Sequence, residues 1–161
     1  MCLAILVVCS QIVIALPFTP VPVTLAYFMV FVIGGLLGPF HGALCMLVYV
    51  MMGLVGLPVF AGFNSIGALV GPTGGYIVGY VPMAAICGLF IRKFNAPVWH
   101  FVGMTLGMSA CYLFGAIWYM IMAKVSFAAS LLATVVPFIL ADICKMILAY
   151  LIIRRLRKLY M

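Results

Sequence analysis

The run PFILADICKMILAYLII, residues 137–153, decides how this chain is read. It is apolar almost throughout, yet it carries Asp142, the only acidic residue among the 161, and Lys145 three positions later. An ionised carboxylate near a bilayer midplane costs about 2.5 to 3.5 kcal/mol on insertion scales, and a lysine costs about as much. Residues three apart on a helix share a face, so the two charges can neutralise each other and still offer donors and acceptors to a bound solute. Asp142 and Lys145 are therefore the leading binding-site candidates. The bland reading of the pair is an ion pair that merely orients two spans, a role in which it contributes little compared with apolar packing.

The rest of the chain matches that run. Hydrophobic residues make up 70% of it, charged residues 6%, and the mean hydropathy is +1.46. These values lie far outside the soluble globular range and describe an integral membrane protein. With about 20 residues needed per spanning helix, the length allows roughly six spans and leaves nothing for a soluble domain. The expectation is an all-α membrane protein, residues 1–161 forming a single domain: a compact bundle of six transmembrane helices. Pro, Gly and polar clusters place the spans near 1–16, 23–38, 41–56, 73–91, 98–121 and 130–153.

The net charge of +7 follows membrane topology and not a nucleic-acid face. Arg92 and Lys93 form one cluster, and Arg154, Arg155, Arg157 and Lys158 another. The positive-inside rule puts both in the cytoplasm, and six crossings then bring the N-terminus to the same side as the C-terminus. Lys124 is left as the one external cation. The N-terminal stretch MCLAILVVCSQIVIAL lacks a basic region and a small-residue cleavage site, so it reads as a first span and not as a signal peptide.

Between the third and fourth spans lies a long outward loop, Gly56 to Tyr76, GLPVFAGFNSIGALVGPTGGY, with six glycines and two prolines. It cannot be regular helix throughout. Irregular backbone at membrane depth survives only where protein buries it or a cavity receives it, so the loop is expected to fold back over the bundle. Asn64, Ser65 and Thr73 supply polar groups there, and Phe60, Phe63 and Tyr76 supply rings to stack on a ligand. Capping is the competing role for Asn64, and interfacial anchoring for Tyr76.

Small residues recur at four-residue intervals, Gly71, Gly75 and Gly79, then Gly103, Gly107, Cys111 and Gly115, which marks close helix packing. The six cysteines form no CxxC pair and read as small buried hydrophobes. His41 and His100 fall at predicted span edges, and no GxxxxGK[ST], HExxH, GxSxG or GxGxxG element occurs. No metal or other resident cofactor is called for, and ATP is not bound through a P-loop.

Three segments taken together resemble the BioY family: PFTPVPVTL at 17–25, GLPVFAGF followed by GPTGGY within 56–76, and PFILADICK at 137–145. That family comprises the biotin-specific S components of energy-coupling factor (ECF) transporters. The resemblance implies a six-helix protein of a prokaryotic cell membrane that captures biotin from outside. It implies partners as well: a transmembrane coupling (T) component and two cytoplasmic ATPase subunits, with ATP used only by those partners. On this resemblance, Asp142 takes the ureido N–H groups of biotin and Asn64 the ureido carbonyl or a neighbouring polar contact. Phe60 and Tyr76 wall the ring, Thr73 lines the pocket, and Lys145 holds Asp142 ionised. Alternatives are an S component for another vitamin, a stand-alone carrier, and a small intramembrane enzyme with Asp142 as general base.

Overall fold

A computed structural model describes residues 1–14, 19 and 21–160, with the side chains of 158–160 left aside. Part of the first family-like motif, at 17, 18 and 20, and the end of the expected first span, at 15 and 16, lie outside the described residues.

Helix α1 runs Cys2–Ser10 and is followed by a two-residue strand, β1 (Val13–Ile14), paired antiparallel with β2 (Val23–Thr24). The first helix thus stops well short of the residue 16 expected from hydropathy. Ser10 and Gln11 turn their side chains to another segment, and the backbone beyond them becomes extended and pairs across to β2. Hydropathy cannot register that exchange of a helical ladder for a sheet one.

Helix α2, Ala26–Leu54, is interrupted at Gly38, where φ is 81° and ψ −178°. Only glycine takes that conformation without strain, and Pro39 follows it, suited to the first turn of a new helix. Along a straight helix, residues eight apart are separated by about 12 Å. Here a Cβ on Gly42 would sit 3.1 Å from the Gly34 Cα. The chain therefore doubles back, and the stretches 26–37 and 39–54 are two arms of a hairpin whose corner is one residue wide.

After the irregular segment, which holds a 3₁₀ turn (Ala61–Phe63) and the short helix α3 (Ile66–Val70), come α4 (Gly74–Lys93) and α5 (Pro97–Ala123), close to the expected fourth and fifth spans. The final stretch divides into α6 (Phe127–Thr134), a 3₁₀ turn (Val136–Phe138) and α7 (Ile139–Tyr160). The expected continuous helix over 130–153 is broken because Pro137 lacks an N–H and its ring clashes with the preceding turn. By length and composition, Gly74–Lys93 and Pro97–Ala123 can each cross a membrane as one helix, and the interrupted stretches Ala26–Leu54 and Phe127–Arg157 are long and apolar enough to do so.

The two small-residue ridges pack on each other. A Cβ at Gly79 would lie 3.1 Å from the Cys111 Cα, and one at Gly107 2.9 Å from the Met83 carbonyl. Such contacts draw α4 and α5 together where lipid gives no hydrophobic drive. Phe31, Ile33, Met46, Met83, Cys87, Met104 and Cys111 are sealed between α2, α4 and α5, whereas Leu140, Leu148 and Leu151 stay exposed on the outer face of α7. Burial is uneven among the cysteines: Cys87 and Cys111 are buried as expected, but Cys144 is exposed on that outer face.

Candidate functional site

Asp142 stands in the first turn of α7, where the helix dipole favours a negative charge. The residue is only 3% exposed. Lys145 Nζ donates to Oδ1 at 2.9 Å, and the Tyr112 hydroxyl of α5 donates to Oδ2 at 2.6 Å. The Lys145 ammonium also lies 6.0 Å from the centre of the Tyr27 ring, within reach of a cation–π contact. A carboxylate has about four lone-pair sites, and an ammonium has three N–H bonds. Two acceptor sites and further lysine donors thus remain for a ligand, and both charges point into the bundle.

They face a small chamber of about 40 Å³, lined also by Tyr27, Tyr112, Thr134 and Phe138. A larger chamber of about 260 Å³ adjoins it and shares Val21, Pro22, Thr24, Tyr76 and Tyr80 as a common wall. Asn64, Phe60 and Thr73 line the larger one. The six residues expected to form a site therefore surround one two-chambered space, with Tyr76 at the joint. Asn64 belongs to the outer chamber and Asp142 and Lys145 to the inner.

Each side chain is held by a specific neighbour. Tyr76 sets its hydroxyl 2.8 Å from Thr134 Oγ1 and 2.9 Å from the Thr134 carbonyl, which commits its O–H to α6 and leaves its ring to the cavity. Gly115 gives that ring room, since a Cβ there would overlap it. Phe60 is 1% exposed and meets Tyr49 edge-on at 5.1 Å. Thr73 donates to the Ala68 carbonyl at 2.9 Å, and Asn64 donates to the Ala61 carbonyl at 3.1 Å. Phe63, expected among the stacking rings, is 73% exposed and does not line either chamber.

The segment 57–64 is fastened over the outer chamber. Ser10 Oγ, the Tyr49 hydroxyl and the Gln11 amide converge on the Val59 carbonyl at 2.7, 3.0 and 3.4 Å. Gln11 also donates to the Phe60 carbonyl at 3.1 Å, and its oxygen accepts the Phe63 N–H at 2.8 Å. Gly62 and Phe63 within the segment, and Gly56 just before it, have positive φ, and Phe60 pairs back to Asn64. The space beneath is thus roofed by a strained, glycine-rich turn.

The model of the BioY family matches residues 1–161. This chain belongs to the BioY family. It is 37% identical over 148 residues to "Biotin transporter BioY" of Thermotoga maritima, covering 91% of this chain and 86% of that protein. Its identity to "Probable biotin transporter BioY" of Pyrococcus horikoshii is 38% over 139 residues, 86% of this chain and 82% of the other. Among solved structures it resembles the S-component for biotin from an ECF-type ABC transporter, with a TM-score of 0.89 and 30% identity over 98% of this chain and 87% of that one.

Within this BioY chain, sequence reading passed over Tyr112, Tyr27 and Tyr80, and the Ser10–Gln11–Tyr49 fastening. Tyrosines in apolar runs look alike until packing shows which hydroxyl meets a carboxylate. One usable signal did exist: Tyr112 adjoins Cys111 and sits between Gly107 and Gly115, on the ridge that brings α5 closest to α4.

Proposed function

We propose that this chain is the substrate-binding S component of an ECF-type transporter and that it holds biotin in the two-chambered space, with the ureido ring against Asp142. The chain serves biotin uptake; it is a transport component and not an enzyme. One observation carries the site assignment: a buried carboxylate with unfilled acceptor sites, braced by Lys145 and Tyr112, faces a cavity under a fastened loop. A cyclic urea offers two N–H donors and one carbonyl acceptor, which suits a carboxylate on one side and an amide or ammonium on the other. In this reading Asp142 accepts the ureido N–H groups, Lys145 keeps Asp142 ionised, and Asn64 takes the ureido carbonyl or a polar group beside it. Phe60 and Tyr76 wall the apolar bicycle, and Thr73 lines the outer chamber.

The same proposal extends to the membrane arrangement. Six crossings follow if the N-terminal segment that contains α1, the two arms of α2, α4, α5 and the α6–α7 unit each traverse the bilayer, with the loop 56–76 outward between the third and fourth. Arg92, Lys93 and the basic end of α7 then face the cytoplasm of a prokaryotic cell, together with both termini. Residues 1–161 act as one domain without a resident cofactor. A T component and two ATPase subunits supply the coupling and use the ATP.

Equilibrium titration of the purified chain with biotin tests the proposal. Saturable binding of one biotin per chain is expected, with labelled biotin resisting competition by thiamine or riboflavin. Absence of binding, or equal competition by another vitamin, would overturn it.

A further inference from the structure

At the end of the bundle opposite the fastened loop, a cleft of about 460 Å³ opens between the start of α5 and the last turns of α7. Arg154, Arg157, Asn95 and His100 line it, with Tyr150 and Ile153 at its back. Its size falls in the range of small-molecule pockets, roughly 300 to 1,000 Å³. Arg154 and Arg157 stand three apart on α7 and share a face. Arg157 Nη1 donates to the Ile91 carbonyl at 2.9 Å, which fixes the guanidinium and leaves most of its five N–H donors unused. His100 Nε2 lies 2.7 Å from the Phe94 carbonyl and so donates to it, holding the ring at the rim.

What the cleft lacks is a counter-charge. Asp142 is the only acidic side chain in the sequence, and Lys145 already occupies it inside the bundle. The two arginines of the cleft must therefore find their anion outside this chain's side chains. Helix α5 adds to the demand: its N-cap is Ala96, which caps nothing through its side chain, and its positive end begins at Pro97 in the wall of the cleft. Leu151 shares a face with Arg154 three positions on and is 54% exposed, and Trp99, between Pro97 and His100, is 45% exposed. Fork-shaped guanidinium groups suit a phosphate, and these apolar side chains suit the acyl chains attached to one.

We propose that this cleft binds one anionic phospholipid, its phosphate held by Arg154 and Arg157 with Asn95 and His100 beside them, and its chains lying along Trp99 and Leu151. The site is separate from the biotin chambers and does not depend on what they hold.

The test is native mass spectrometry of the purified chain released from mixed micelles with equal phosphatidylglycerol and phosphatidylcholine. One phosphatidylglycerol per chain is expected to persist while phosphatidylcholine is lost. At roughly fivefold for each surface arginine, R154Q/R157Q should weaken retention by about 25-fold. R155Q, whose side chain does not line the cleft, should leave retention unchanged. Equal retention of the two lipids by the unaltered chain overturns the proposal, however the variants fold. Undiminished phosphatidylglycerol on R154Q/R157Q overturns it too. Displacement of the lipid by inorganic phosphate would make this a soluble-anion site, and loss of a copurifying protein from R154Q/R157Q with its phosphatidylglycerol retention unchanged would make it a docking face. Either result refutes a lipid site.

Discussion

Replacing Asp142 by Asn separates recognition from stability, provided Lys145 is changed with it. In the structure the residue is 3% exposed and its carboxylate accepts from both Lys145 and Tyr112. Asp142→Asn keeps one oxygen, which can still accept from the ammonium, and puts an amide donor where the second stood, so the Tyr112 hydroxyl must turn from donating to accepting. The stranded lysine is the larger problem: breaking a buried ion pair from one side costs about 3 to 5 kcal/mol. The single variant should therefore lose thermal stability sharply. Adding Lys145→Met removes the uncompensated charge, and replacing a whole buried pair by neutral groups is often close to neutral. D142N/K145M should recover most of the lost stability in a thermal unfolding assay. Biotin binding should not recover with it. Even one charge-assisted hydrogen bond to a ureido N–H is worth about 1.5 to 3 kcal/mol, or roughly 10- to 150-fold in Kd. Equilibrium binding of labelled biotin to the folded double variant reads this directly. Affinity within about threefold of the unaltered chain would refute the carboxylate as a ligand, leaving the pair only a structural role.

Three further outcomes follow from single contacts. Tyr112→Phe removes the 2.6 Å hydroxyl bond to the buried Asp142, so thermal unfolding should show a loss of about 1.5 to 3 kcal/mol, and biotin affinity of the folded variant should fall by about tenfold in the same binding assay. Gln11→Ala unfastens the Phe60 carbonyl and the Phe63 N–H, bonds worth about 0.5 to 1.5 kcal/mol each, so stopped-flow dissociation of biotin should quicken by about tenfold while association changes less. Gly79→Val forces a branched side chain against Cys111 on α5, and overpacking of this kind should cost about 1 to 3 kcal/mol in thermal unfolding, with any effect on biotin following from stability alone.

The sequence made the charged pair legible because a lone anion in a long apolar run has few physical uses. The glycine- and proline-rich outward segment was legible for a similar reason: so many helix breakers at membrane depth demand a cavity or cover. Close packing of α4 on α5 could be read from the four-residue spacing of Gly75, Gly79, Gly107 and Gly115. What escaped depends on direction and not on composition. Gly38 and Pro39 announced a turn, but that the turn is a single residue with positive φ appears only once Gly34 and Gly42 are seen in contact. Gln11 reads as a polar interruption of an apolar helix, and nothing local shows that its amide grips the backbone of residues 59–63. Pro137 was visible too, yet hydropathy ran straight across it, because averaging over a window hides one missing N–H.

The polar groups around the chambers fall into two classes with different strengths, and that division bears on how a ligand gets in and out. On the inner side, Asp142 and Lys145 of α7 and Tyr112 of α5 are buried and joined by charge-assisted bonds, and α5 is itself locked to α4 through Gly107, Cys111 and Gly115. Such bonds are roughly twice as strong as neutral ones, and disturbing one member leaves another unsatisfied in a dry interior. On the outer side, Ser10, Gln11 and Tyr49 hold the loop by neutral bonds to backbone carbonyls, and the Gln11–Phe63 contact is solvent-exposed. Neutral bonds of that kind are each worth about 0.5 to 1.5 kcal/mol net, and water can replace them one at a time. The loop can therefore open without disturbing the ion pair. Because Ser10 ends α1 and Gln11 caps it, a small displacement of α1 acts on the Ser10 and Gln11 bonds together, while the Tyr49 bond is held from α2. In the proposed binding mode, selectivity resides in the inner chamber and the dissociation rate in the fastening of the loop. Changes at Asp142 and at Gln11 should consequently add in free energy: independent effects multiply in Kd, whereas strong coupling between the two sites would mean that loop and floor move as one.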